Sequence, residues 1–282
     1  MIISWAVFLQ RFRTPWLDKL AYLITCLGSA WFFIAALPVL YWTWNKRAGY
    51  RIAVFYLLGA YVNSALKVAF HTPRPGPVPG AVVMHPETGP GYSFPSGHAQ
   101  GSTVFWGQFA LEVRTVFTWA LAIILTLLVS LSRLYLNVHW PVDVLGGILV
   151  GMVLLLLFNA ASALWERLYL PFWFRLLCTL ALPAAMYLVY RGDDAHLLIG
   201  FLLGFPLGHL MEERYVGWSE RASPIANVLK VLVGLGGLLA IRYGLKLVLP
   251  INAAADIARY ALAGLWAGFG APLLFVAMGW HD

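Results

Sequence analysis

Three stretches of this chain, residues 20–45, 115–132 and 144–165, contain no aspartate, glutamate, lysine or arginine. Each is long enough to cross a hydrocarbon layer, for which about 17–25 apolar residues suffice. Backbone inside lipid has no water to bond, so its N–H and C=O groups must be satisfied within the segment. Runs of this length therefore read as helices. Composition points the same way. Only 11% of the residues are charged, where a soluble domain carries roughly a quarter, and the mean hydropathy is +0.76. The chain reads as an all-α polytopic membrane protein.

Further apolar segments at 52–70, 97–111, 168–190, 195–215, 225–248 and 260–280 bring the expected architecture to a bundle of about nine transmembrane helices. In the 225–248 segment Lys230, Arg242 and Lys246 must snorkel or face protein. Residues 1–19 interleave Arg11, Arg13, Asp18 and Lys19 with Phe12, Trp16 and Leu17, which suits a helix lying in the interface. Lys46, Arg47 and Arg51 form a basic turn that the positive-inside rule assigns to the cytoplasm. Alternating spans then put the N-terminus outside and the C-terminus inside. The expected division is 1–19 as an interfacial segment, 20–166 as a five-span core and 167–282 as a four-span C-terminal membrane segment.

Several function classes fall away. The net charge of +7 comes from nineteen Lys and Arg spread singly between apolar runs, so no nucleic-acid partner is expected. Cys26 and Cys178 lie inside apolar segments as packing residues. Residues 1–10 lack the basic start and small-residue cleavage site of a leader peptide. The turn around Arg191–His196 and the segment 211–214 with His209 read as a solvated outer turn and an inner helix end, without chemistry.

The polar residues that remain are concentrated. Residues 132–143, S-R-L-Y-L-N-V-H-W-P-V-D, place an arginine, a histidine and an aspartate between two apolar spans, where ionisable groups are expensive. Pro141 suits the first turn of a helix, so His139 and Asp143, four apart, share one side of it. An imidazole steered by a carboxylate is a nucleophile or a general base. Arg133 is a planar cation that suits phosphate. A snorkelling Arg133 and a helix-capping Asp143 are the plainer reading of the same stretch. Lys67 and Arg74 precede a proline- and glycine-rich stretch, 71–96, that cannot be a regular helix facing lipid. It ends in Pro95-Ser96-Gly97-His98, where Gly97 permits close backbone approach and the first amides of the next helix point at any anion there. With alternating spans, Lys67, Arg74, His98, Arg133, His139 and Asp143 all fall on one membrane face.

Lys67…Arg74-Pro75, Pro95-Ser96-Gly97-His98 and Ser132-Arg133…His139…Asp143 resemble, in order and spacing, the three-part signature of the type 2 phosphatidic acid phosphatase superfamily. The resemblance covers roughly residues 67–151. Glu87-Thr88-Gly89-Pro90-Gly91 is similar to the matching loop of glucose-6-phosphatase, and the nine-span layout resembles that enzyme and the sphingosine-1-phosphate phosphatases. The extra C-terminal spans depart from six-span bacterial members. The resemblance implies that His139 attacks phosphorus and becomes a phosphohistidine, that Asp143 holds its ring, and that His98 protonates the leaving oxygen. It implies phosphate binding by Lys67, Arg74, Ser96, Gly97 and Arg133, with no cofactor and no metal. His71 and His85 read as loop polarity rather than zinc ligands. The expected function is hydrolysis of a lipid phosphate or diphosphate at the periplasmic or lumenal face of a bacterial inner membrane or endoplasmic reticulum. A soluble sugar phosphate substrate and a lipid transporter with a phosphate-binding pocket are the alternatives.

Overall fold

The computed structural model describes residues 4–281, and among them every regular element but one antiparallel bridge, Val78 with Ala81, is helical. In chain order these are α1 (Ser4–Gln10), α2 (Pro15–Cys26), α3 (Ala30–Thr43), α4 (Lys46–Phe70), a short 3-10 turn (Pro86–Thr88), α5 (Gly97–Val113), α6 (Val116–Tyr135), α7 (Pro141–Arg167), α8 (Phe172–Val189), α9 (Asp193–Tyr215), α10 (Pro224–Val248), α11 (Ala253–Leu265), a π-helical turn (Trp266–Gly270) and α12 (Ala271–Ala277). The helix starts follow ordinary capping chemistry. Thr14, Ser96, Thr115, Ser223 and Asn252 each accept an early amide of the helix they open, satisfying donors that have no partner inside the helix.

Among the described residues, seven helices are long and apolar enough to span a bilayer: α4, α6, α7, α8, α9, α10 and the α11–α12 stretch Ala253–Ala277. An eighth arises if α2 and α3 count as one span, bent by 48° at residues 27–29. The expectation of one continuous span over 20–45 is thus corrected. Ser29 Oγ donates to Cys26 O at 2.7 Å and accepts Phe32 N–H at 3.3 Å, so a local side chain ends one helix and starts the next. Helix α2 also begins at Pro15, inside the expected interfacial segment. Among the described residues the candidates number seven or eight, so the expected nine spans are not confirmed. Helix α5 has 17 residues and buries Gln100, Ser102, Thr103 and Gln108 among its packed positions, a polar face that protein rather than lipid covers.

The chain folds as two compact units that are discontinuous in sequence. Unit 1 comprises Met1–Ile34 and Val62–Asn159. Within it α5 packs on α6, and the N-terminal helices α1 and α2 also contact α6. Gln10 joins the segment at Val82 to the end of α6, donating to Val82 O at 2.9 Å and Tyr135 O at 2.8 Å and accepting Val82 N–H at 2.9 Å. Gly147 on α7 has Ser96 O 2.6 Å from where a β-carbon would stand, so the start of α5 lies directly on α7.

Unit 2 comprises Ala35–Tyr61 and Ala160–Asp282. Its closest pairing is α9 with α11, where Gly204 faces the Ala261 backbone at a distance no β-carbon could share. Small residues let membrane helices approach this closely and gain van der Waals contact along their length. The unit also buries charge. Lys46 Nζ donates to Glu212 Oε1 and Trp218 O, each at 3.0 Å, and Lys230, fully buried, donates to Glu220 O at 3.0 Å with its ammonium 5.1 Å from the Trp218 ring. His209 is buried as well, its Nδ1 3.0 Å from Tyr41 OH. The segment around His209 is the end of α9, as expected, and its histidine is packed into a buried polar cluster.

Candidate active site

The site lies within unit 1 and is assembled from the end of α4, the loop 71–96, the start of α5, the end of α6 and the loop into α7. His139 lies in the last of these and Asp143 in the first turn of α7 that follows it. Pro141 opens α7, and the carboxylate of Asp143 reaches back to accept Trp140 N–H at 2.8 Å, the bond a third-position acid makes at a helix start. The same oxygen, Oδ2, lies 3.2 Å from His139 Nδ1. Capping and imidazole orientation are both present, performed by one atom.

The other ring nitrogen fixes the tautomer. Arg74 Nη1 stands 3.1 Å from His139 Nε2, and a guanidinium can only donate. Nε2 therefore carries a lone pair, and Nδ1 carries the proton that Asp143 accepts. Burial, followed by the charges of Arg74, Arg133 and Lys67, holds the His139 imidazole well below its ordinary pKa. The ring is neutral at pH 7 with its unprotonated nitrogen facing cations.

Those cations are held by neutral groups. Arg74 donates to Pro90 O, Gly91 O, Tyr92 O and Val138 O at 2.7–3.0 Å. Burial draws its guanidinium below the ordinary value, with Asp143 opposing. Arg133 is fully buried; Nη1 donates to Thr25 Oγ1 at 2.7 Å and Thr88 Oγ1 at 2.9 Å, and Nη2 to Thr88 O at 3.1 Å. The two guanidiniums meet at Gly89, where a β-carbon would stand 2.8 Å from Arg74 Nη1 and 3.1 Å from Arg133 Nη2. Lys67, in the last turn of α4, donates to Tyr92 O at 2.8 Å.

Ser96 caps α5 through Ala99 N–H at 3.5 Å, and its own amide donates to Asp143 O at 2.9 Å. Gly97 lies against Asn63, whose Nδ2 donates to Pro95 O at 3.2 Å and Gln100 Oε1 at 2.9 Å. His98 is within electrostatic range of Arg133, His139, Lys67 and Arg74, and its buried Nε2 has no hydrogen-bond partner among the described residues. All eight residues singled out from the sequence thus sit in this one unit. His85 pairs with Glu87 at 3.0 Å and His71 packs against the Tyr92 ring.

Sequence reasoning missed the residues that hold this set in place. Thr25 and Thr88 fix Arg133 and Asn63 backs Gly97. Ser93, fully buried, donates from Oγ to Asp143 Oδ2 in a short hydrogen bond. Two of them carried a local signal: Thr88 lies in the 87–91 loop already singled out, and Ser93 is a hydroxyl three residues before Ser96. Thr25 and Asn63 sit in helices and meet their partners only through folding.

The sequence matches a profile of the PAP2 superfamily over residues 48–167 and one of the PAP2 superfamily phosphatase transmembrane extension over residues 197–282. Sphingosine-1-phosphate phosphatase 2 of Mus musculus is 31% identical over 150 residues, 50% of this chain and 42% of that protein. The chain therefore spans well under two thirds of that relative. A protein of Escherichia coli (strain K12) named as an undecaprenyl-diphosphatase is 30% identical over 175 residues, 57% of this chain and 83% of its own length. A crystal structure of a transmembrane PAP2 type phosphatidylglycerolphosphate phosphatase from Bacillus subtilis aligns with a TM-score of 0.47 at 26% identity, covering 57% of this chain and 83% of that one. On the extent of these matches, the chain belongs to the PAP2 superfamily.

Proposed function

We propose that this chain is an integral-membrane phosphatase that hydrolyses a lipid phosphate or diphosphate through a phosphohistidine on His139, without a metal ion, at the periplasmic or lumenal face. One observation carries the chemistry: His139 offers an unprotonated Nε2 toward Arg74 while its Nδ1 proton is held by Asp143. The Nε2 lone pair forms the N–P bond as the P–O bond to the leaving group breaks, and that oxygen takes a proton from His98. Water then attacks phosphorus with His98 as base, the N–P bond breaks, and neutral His139 and phosphate are released. Lys67, Arg74, Arg133, the Ser96 hydroxyl and the Gly97 amide bind the phosphoryl oxygens and offset the charge that develops on them.

The lipid class is supported by the names of the relatives, a sphingosine-1-phosphate phosphatase and an undecaprenyl-diphosphatase, and by a site at the ends of apolar helices. In this reading residues 20–166 carry the chemistry behind the interfacial segment 1–19, and 167–282 form the additional membrane segment. Phosphate release from detergent micelles of sphingosine 1-phosphate, phosphatidate and undecaprenyl diphosphate, with glucose 6-phosphate alongside, tests the substrate class. Turnover of glucose 6-phosphate alone would replace the lipid assignment, and no turnover of any would favour a lipid carrier. Activity should persist in EDTA; a loss restored by Mg²⁺ would end the metal-free mechanism.

A further inference from the structure

We infer that Ser93 is a positioning residue for the phosphoryl transfer: its hydroxyl fixes the Asp143 oxygen that orients the nucleophilic imidazole. This rests on the function proposed above. Ser93 is fully buried, and its backbone is pinned by donation from Ser93 N to Thr72 O at 2.8 Å. Three donors converge on Asp143 Oδ2: Ser93 Oγ, Trp140 N at 2.8 Å and His139 Nδ1 at 3.2 Å. The other oxygen, Oδ1, is buried without a partner among the described residues. Trp140 and His139 precede Asp143 on the same local segment and would move with it. The hydroxyl of Ser93 arrives from a different loop, so among the described residues it is the donor that ties the carboxylate to a segment other than its own. The Ser96 N–H to Asp143 O bond at 2.9 Å ties the same two segments together through the backbone.

A serine, a histidine and an aspartate in contact also suggest the nucleophilic triad of acyl-transfer enzymes, and the geometry argues against it. Ser93 Oγ lies 3.4 Å from His139 Nδ1, the nitrogen that carries the proton, so the ring cannot take a proton from the hydroxyl there. The hydroxyl donates to the carboxylate instead. The lone pair of the ring faces Arg74 on its other side.

The test follows kcat, KM and the pH profile of phosphate release from sphingosine 1-phosphate in detergent micelles, with undecaprenyl diphosphate as second probe. Outer-shell partners of metal-ligating side chains typically matter about 10–100-fold, and a partner that orients a reacting imidazole is expected to act on the same scale. Ser93→Ala should lower kcat by about that factor with KM changed less than about threefold. It should also move the acid limb of kcat/KM upward. An Asp143 carboxylate that loses one donor holds the His139 Nδ1 proton more strongly, which favours the protonated ring. The other groups facing that ring, Lys67 from α4, Arg74 from the loop, His98 from α5, Arg133 from α6 and Asp143 itself, are unchanged in the variant. Ser93→Thr keeps the hydroxyl and should restore both quantities. In an Asp143→Asn background the same Ser93→Ala change should cost little, because its partner is already altered. Thermal unfolding in detergent checks that each variant is folded. A folded Ser93→Ala protein with unchanged kcat and acid limb would overturn the inference, as would an equal penalty with and without Asp143→Asn. His139→Ala separates the two levels: full activity there removes the phosphohistidine reading, whereas its loss beside a silent Ser93→Ala removes only the role of Ser93.

Discussion

Each unit buries an imidazole about one helical turn from a carboxylate, and the two pairs are put to different uses. In unit 1 His139 Nδ1 meets Asp143, and Nε2 faces an arginine. Every hydrogen bond that Arg74 and Arg133 make to a defined acceptor there goes to a carbonyl, a hydroxyl or the imidazole. In unit 2 His209 Nδ1 meets Tyr41 OH at 3.0 Å, Nε2 lies 3.4 Å from Glu213 Oε1, and the Tyr50 ring stacks on the imidazole at 4.0 Å. The cations beside it are matched, Lys46 by Glu212 at 3.0 Å and Arg175 by Glu213 at 2.7 Å. In the function proposed above, the unit 1 pair serves as a reaction centre because its outer nitrogen faces an arginine whose hydrogen bonds otherwise go to carbonyl oxygens. With each charge matched, the unit 2 pair becomes a structural joint.

The sharpest break of this contrast replaces each histidine in turn. His139→Ala should lower kcat by roughly 10⁴-fold or more, since the nucleophile goes with it. His209→Ala should keep phosphate release within about tenfold while lowering stability by about 1–3 kcal/mol. A folded, inactive His209→Ala protein would show that unit 2 contributes to the chemistry. Next in size, Arg133→Lys and Arg74→Lys should each cost about 10²–10³ in kcat/KM, because one ammonium cannot supply the fork of donors. An effect below about threefold would remove that arginine from phosphate binding.

On the structural side, Lys46→Ala strands the fully buried Glu212. Breaking a buried pair costs about 3–5 kcal/mol, and the remaining 23% exposure of Lys46 argues for the lower end. Thermal unfolding of Lys46→Ala and of Lys46→Met/Glu212→Gln measures it, the double variant recovering most of the loss. The smallest expected effect is in pH. His139 must be unprotonated to attack, and burial with three nearby cations lowers its pKa below 6.5. Activity should therefore persist as pH falls through 6.5 and fail only below it. An acid limb at or above 6.5 would contradict the cationic setting of the ring.

The contrast also marks what the sequence discloses. His139, Asp143, Arg133 and Pro95–His98 stand out because polar groups between apolar spans are rare and their spacing is local. Thr25 and Asn63 do not, since a threonine or asparagine in an apolar helix carries no sign of which loop it will meet. The break at residues 27–29 was hidden for a related reason: Leu27-Gly28-Ser29 is as uncharged as its flanks, and Ser29 ends the helix through its hydroxyl rather than through any change in hydropathy. Chain order misleads in one further respect. Residues 35–61 pack with the C-terminal half, because apolar spans give no local cue to which neighbours they join.

One carboxylate oxygen accepts both the amide that begins α7 and the proton of the His139 ring. Winding the first turn of that helix and arming the proposed nucleophile are consequently a single event. A protein frayed at this turn would be disarmed even with every other element intact. Hydrogen exchange at the Trp140 amide should then report catalytic readiness: slow in the competent protein, faster wherever the Asp143 cap has been loosened.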